Sequence, residues 1–178
     1  MTTLLGISGS LRADSVNTLL IKEAARLFDP ATFTLADLNL PLYDGDLEDA
    51  KGIPDSVLTL KEQIAQADAV VISTPEYNAN LSGVLKNALD WSSRGGPSPF
   101  RGKPVAILSA ADGRTGGARA QFSLRHCMTP FQPQILQGPE VQIAGASKAF
   151  DENGRLIAER DQKTLGILMR KLKALIQE

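Results

Sequence analysis

Ala69-Val70-Val71-Ile72-Ser73-Thr74-Pro75-Glu76-Tyr77-Asn78-Ala79-Asn80-Leu81-Ser82-Gly83-Val84-Leu85-Lys86-Asn87-Ala88-Leu89-Asp90-Trp91 is the stretch that decides how this chain is read. Its first four residues are an uninterrupted apolar run, the pattern of a parallel strand buried on both faces. Ala69 to Ser73 is therefore read as a strand. Beyond it the apolar period becomes helical, with Val84, Leu85, Ala88, Leu89 and Trp91 mostly on one face. The loop between strand and helix holds a carboxylate, a phenol and two amides. Loops at the carboxyl ends of strands are where open α/β sheets bind ligands. An aromatic ring beside amide groups there suits a flat heteroaromatic ligand that both stacks and hydrogen-bonds. An ordinary strand-to-helix turn with a surface tyrosine carries the same signature.

Upstream, Thr3 to Ile7 reads as a first strand, and Val16, Leu19, Leu20, Ala24, Leu27 and Phe28 form a helical stripe. Between them lies Gly9-Ser10-Leu11-Arg12-Ala13-Asp14-Ser15-Val16-Asn17. The start of a helix binds anions, because free backbone N–H groups and the positive dipole end point into it. Ser10 and Ser15 add hydroxyls, Asn17 an amide and Arg12 a fixed charge, a set that suits a terminal phosphate monoester. Helix capping by Ser15 with a surface arginine is the structural alternative. The loop lacks Gly-x-x-x-x-Gly-Lys and does not fit Gly-x-Gly-x-x-Gly, so it is neither a P-loop nor a dinucleotide fingerprint. It also misses the nucleophile elbow, since Ser10 stands where that motif has its second glycine.

Phe33 to Leu38 reads as a second strand, Pro41 to Pro54 as an acidic loop, and Ser56 to Ala67 as a helix. Downstream, Val105-Ala106-Ile107-Leu108 is a further buried strand. It runs into Ser109-Ala110-Ala111-Asp112-Gly113-Arg114-Thr115-Gly116-Gly117, whose glycines permit close backbone approach to a ligand. Ala118 to Met128 reads as a helix, Ile135-Leu136 and Val141 to Ile143 as last-strand segments, and Leu165 to Ile176 as a final amphipathic helix.

The chain has 178 residues and a net charge of −1 with no long run of one sign. That length predicts a single domain over residues 1–178, and the charge points to neither a nucleic-acid nor a membrane partner. Cys127 is the only cysteine and His126 the only histidine, which argues against a disulfide and against a cysteine or multi-histidine metal site. The N-terminus lacks the basic and apolar regions of a signal peptide, and no apolar run is long enough to span a bilayer, so a cytoplasmic protein is expected.

Alternation of strand and helix predicts an α/β fold of three layers, with a five-stranded parallel sheet in the flavodoxin-like order 2-1-3-4-5 and helices on both faces. That order makes the strands before the three candidate loops neighbours, so the loops converge on one crevice.

At these residues the sequence resembles the NADPH-dependent FMN reductase family, in the branch with quinone, chromate and azo-dye reductases. Three blocks carry the resemblance: Gly9-Ser10-Leu11-Arg12 with Ser15 and Asn17; Pro75-Glu76-Tyr77-Asn78 through Leu85-Lys86-Asn87-Ala88 to Asp90-Trp91; and Gly116-Gly117 with Arg119-Ala120. The resemblance implies an FMN-dependent oxidoreductase, with NADPH or NADH as co-substrate and a small acceptor such as a quinone. It places Ser10, Arg12, Ser15, Val16 and Asn17 on the phosphate, Pro75, Glu76, Tyr77 and Asn78 beside the ring, and Ser109, Asp112, Gly113, Gly116 and Gly117 at its other edge. Backbone N–H groups around Tyr77, Asn78 and Gly113 are the expected donors to the ring, and no protein group is required as acid or nucleophile. Tyr77 is expected to shape an open face. Arg114 and Arg119 are candidates for the 2′-phosphate of NADPH, or plain surface charge. The resemblance also implies a homodimer or homotetramer, with Trp91 and the acidic loop at the interface or Trp91 in the core. One departure is Ser82, where the family usually has proline. A non-enzymatic flavin carrier or redox sensor, and an enzyme that releases reduced FMN, share the same features.

Overall fold

The computed structural model describes residues 2–176. Strand β1 (Thr3–Ser8) leads into helix α1 (Val16–Phe28). The buried face of α1 carries Leu20, Ile21, Ala24 and Phe28, and Ser15 caps its start by accepting from the Thr18 amide. Asp29, in the left-handed region at φ 53°, ends it. β2 (Thr32–Leu35) follows, then α2 (Gly45–Lys51), α3 (Asp55–Gln66) and β3 (Ala69–Thr74). Every residue of β3 is buried, as its apolar run predicts. The order continues with α4 (Gly83–Ser92), β4 (Pro104–Ala111), α5 (Ala118–Met128), β5 (Gln134–Ile135), β6 (Val141–Ala144) and α6 (Glu159–Leu175).

The strands pair in parallel in the order β2-β1-β3-β4-β5, which is the flavodoxin-like order. The sheet nevertheless has six strands rather than five, because the last position is shared. β5 pairs with the first half of β4 (Val105↔Ile135) and β6 with the second half (Leu108↔Val141). Residues 136–140, with a cis Gly138–Pro139 bond, leave the sheet between them.

Two apolar clusters cover the two faces. Leu20, Ile21 and Phe28 of α1 and Leu165, Leu168 and Leu172 of α6 lie on one side, with Leu4, Val71 and Leu108 of the strands. Leu60 and Ile64 of α3, Leu85 and Leu89 of α4 and Leu124 and Met128 of α5 lie on the other, with Ile7, Ile72 and Ile107. Successive strand residues thus feed opposite layers, and burial on both faces makes the sheet the floor on which its loops are fixed.

The reading of Pro41 to Pro54 as a loop is corrected by α2. This helix buries none of its residues, so it leaves no apolar stripe in the sequence. It is held by polar contacts instead: Asp44 caps it, and Arg94 Nε donates to Glu48 Oε2 at 2.8 Å. Tyr43, just before it, packs edge-on against Trp91 at 5.0 Å between ring centroids. Trp91 is fully buried and donates Nε1 to the Pro41 carbonyl at 2.8 Å. Among the described residues no helix is long and apolar enough to cross a membrane.

Candidate active site

Between β1 and β2 the chain moves one way along the sheet, and between β2 and β3 it returns past β1. The carboxyl ends of β1, β3 and β4 therefore lie side by side at a topological switch point. The loops that follow them enclose a cavity of about 600 Å³, within the range of small-molecule sites.

From the first loop, Ser10, Arg12, Asp14, Ser15, Val16 and Asn17 line this cavity. The Ser15 side chain accepts from the Thr18 amide and its carbonyl from the Leu19 amide. Of the four donors a helix start leaves over, only the Thr18 amide is capped, and those of Ser15, Val16 and Asn17 have no acceptor among the described residues. The first turn of α1 carries no acidic residue to compete for them. Asn17 has a second task. Its side chain is buried, and Oδ1 accepts from Ser73 Oγ at 2.7 Å and from the Ala110 amide at 3.0 Å, while Nδ2 donates to the Ala110 carbonyl at 3.0 Å. It ties the start of α1 to β3 and β4, so the anion-binding end is fixed in the sheet.

The second loop contributes Pro75, Glu76 and Tyr77. Glu76 Oε2 accepts from the Arg119 amide at 3.0 Å and lies 3.3 Å from the Ala120 amide. A carboxylate at that end of α5 satisfies two of its free donors and meets its positive dipole end. Two helix starts thus approach the cavity, and Glu76 already occupies one of them. Ser82 caps α4 by accepting from the Leu85 amide at 3.2 Å, and its φ of −66° is one that proline would share. The departure from the family pattern keeps the turn. A Cβ on Gly9 would lie 2.9 Å from Ser82 Oγ, so the first loop reaches this cap only because residue 9 is glycine.

Tyr77 and Asn80 close a two-residue turn through reciprocal backbone hydrogen bonds of 3.1 Å. Its central residues, Asn78 at φ 51° and Ala79 at φ 63°, are both left-handed. The Tyr77 amide, one of the expected donors, is spent on this turn, and Asn78 is not among the residues that line the cavity. Tyr77 does line it, and the residue is half exposed.

The third loop lines the cavity with Ala110, Ala111, Asp112, Gly113, Thr115 and Gly117. Ser109 and Gly116 stand behind the wall, where Ser109 Oγ donates to the Gly116 carbonyl at 2.6 Å and accepts from Gln121 Nε2 at 2.9 Å. Arg119 lies outside the cavity. Asp112 Oδ1 accepts from the Ser147 amide at 2.8 Å. That backbone bond, helped by the Ser147 side chain and the nearby charges of Arg12 and Lys148, holds the Asp112 carboxyl below the usual range. It also draws Ala146 and Ser147 onto the wall. Neither was foreseen from the sequence, because they belong to a turn after β6 that carries no motif.

These residues fit a phosphorylated heteroaromatic group. Free amides, hydroxyls and a guanidinium meet at one helix start, and a tyrosine and small-residue backbone surround the remaining space. A parallel sheet in flavodoxin-like order with such a crevice at its switch point defines the class of mononucleotide-binding α/β proteins. Within that class the chain belongs to the NADPH-dependent FMN reductase family, whose model matches residues 2–148. It is 47% identical over 173 residues to an NAD(P)H-dependent FMN reductase of Pseudomonas aeruginosa, covering 96% of this chain and 91% of that one. It is 39% identical to a quinone reductase of Escherichia coli, covering 93% and 89%. Among solved structures, FerB, a flavoenzyme NAD(P)H:(acceptor) oxidoreductase from Paracoccus denitrificans, superimposes with a TM-score of 0.88 at 33% identity, covering 99% of this chain and 98% of that one. An archaeal flavodoxin shares the fold alone, with a TM-score of 0.63 at 7% identity.

Proposed function

We propose that this protein is an FMN-dependent oxidoreductase that transfers two electrons from NAD(P)H to a small acceptor such as a quinone. The observation that carries the reading is the α1 start, where the unpaired Val16 and Asn17 amides, Ser10, Ser15 and Arg12 face one cavity beside Tyr77. FMN, when bound, supplies the redox chemistry, so the protein needs no nucleophile of its own. Ser10, Arg12, Ser15 and the Val16 and Asn17 amides hold the phosphate. Pro75, Tyr77, Ala110 to Gly113 and Gly117, which line the rest of the cavity, would enclose the ring. Tyr77 shapes the face at which co-substrate and acceptor arrive in turn.

The reading extends to a single domain acting in the cytoplasm as a homodimer or homotetramer. Relatives named FMN reductase and quinone reductase support the substrate class. The test is a visible spectrum of the purified protein followed by anaerobic addition of NADPH. Flavin absorbance that survives gel filtration and bleaches with NADPH, then returns on adding a quinone, is the expected result. Bound flavin that neither NADPH nor NADH bleaches would convert the reading to a carrier or sensor. Protein that takes up no FMN would overturn it.

A further inference from the structure

A second cavity, of about 340 Å³, lies between β6 and the start of α6. We propose that it takes the 2′-phosphorylated adenosine end of NADPH, with Arg114 and Arg160 on the phosphate. This rests on the NAD(P)H oxidoreductase reading and adds to it the device that separates the two nicotinamide nucleotides.

The loop after β4 is a wall common to both cavities. Gly113, Thr115 and Gly117 line the first, and Arg114, from the middle of the same loop, lines the second. The two cavities thus share one loop, which is what a ligand with one end in each requires. The second end is defined by what lines its cavity. Arg114 and Arg160 form no ion pair or side-chain hydrogen bond among the described residues, and two unpaired guanidiniums on one small cavity favour a phosphate, which each can grip through two oxygens.

The remaining lining excludes a bare anion as the best occupant. Glu140, Asp161 and Thr164 also face the cavity. Glu140 Oε2 already accepts from Gln142 Nε2 at 3.1 Å, and Asp161 sits in the first turn of α6, where the helix dipole favours its charge. Thr164 donates its hydroxyl proton to the Arg160 carbonyl at 2.8 Å and keeps acceptor capacity. Two cations beside carboxylate and hydroxyl acceptors call for a ligand that brings both phosphate oxygens and hydroxyl or amino donors. A phosphorylated nucleoside has both. Arg119, the other arginine near the Gly113–Gly117 loop, lines neither cavity.

The test uses Arg114→Gln, Arg160→Gln and the double variant, with 2′,5′-ADP and 5′-AMP as probes in calorimetry on flavin-free protein. The wild type is expected to prefer 2′,5′-ADP by about tenfold or more, and each variant to lose about tenfold for that probe alone. In the FMN-loaded protein kcat/KM for NADPH falls by the same factor while that for NADH and the affinity for FMN stay unchanged. Equal losses for both probes, or none for either, overturn the inference. Failure of both NADPH and NADH to reduce the wild type overturns the oxidoreductase reading instead, and the calorimetric preference still decides the cavity. Unchanged thermal unfolding of Arg160→Gln shows that the variant is folded.

Discussion

Ser73 Oγ donates a 2.7 Å hydrogen bond to Asn17 Oδ1, a buried link between the middle strand and the first turn of α1. The same oxygen accepts from the Ala110 amide, and the Asn17 amide group donates to the Ala110 carbonyl. One side chain therefore sets three elements of the site in register.

Asn17→Ala should be destabilised by about 2–4 kcal/mol, because it leaves buried groups on Ser73 and Ala110 without partners. For a chain of this size that is a loss of roughly 5–15 °C in Tm. Calorimetry checks it. An unchanged Tm would show that the link is dispensable.

Arg12→Ala should weaken FMN binding by about tenfold and leave riboflavin binding unchanged, since the proposed role of the guanidinium is to grip the phosphate alone. Raising the salt concentration should narrow the difference, because Arg12 is exposed. Flavin fluorescence quenching measures both ligands. An equal loss for riboflavin would place Arg12 elsewhere in the site.

Glu76→Ala should cost about 1 kcal/mol of stability by uncapping α5, as loss of other side-chain caps does. Glu76→Gln keeps an acceptor oxygen and should recover most of it. FMN affinity should follow the same order, because the cap holds the Tyr77 loop against the loop that ends at Gly117. Thermal unfolding of the flavin-free variants separates the two effects.

Gly117→Ala should be among the most damaging single changes at the site. Residue 117 sits at φ 91°, and a Cβ there would lie 2.7 Å from the Ser109 Cβ. Backbone strain alone is worth about 1–3 kcal/mol. Combined loss of Tm and of FMN binding is the expected result, and wild-type values of both would refute the geometry.

Asp112 has a pKa depressed in the folded protein, first by the Ser147 amide. Its contribution is therefore complete above the unfolded value of about 4 and is lost as the pH falls through the folded one. The Ser147 amide resonance should titrate below about pH 4 and lose that step in Asp112→Asn. A flat titration in the wild type would show that the contact does not form in solution.

Much of this protein was legible along the chain. The apolar runs of β1, β3 and β4 and the helical stripes between them are local patterns, and together with right-handed crossovers they determine the sheet order and the convergence of three loops. Ser15, Val16 and Asn17 could be placed at a helix start because capping is local too. The α2 helix escaped because it buries nothing, although Asp44 before it, Asp46 and Glu48 in its first turn, Lys51 in its last and Gly52 after it form a capping signature. Which groups face the cavity was decided only in three dimensions. The positive φ angles of Asn78 and Ala79 spend the Tyr77 amide on a turn, Glu76 reaches across to α5, and Ser147 arrives from the far end of the chain. Hydrophobic period reports burial one element at a time, whereas a ligand wall is made of contacts between elements, and those depend on how the packed layers bring distant loops together.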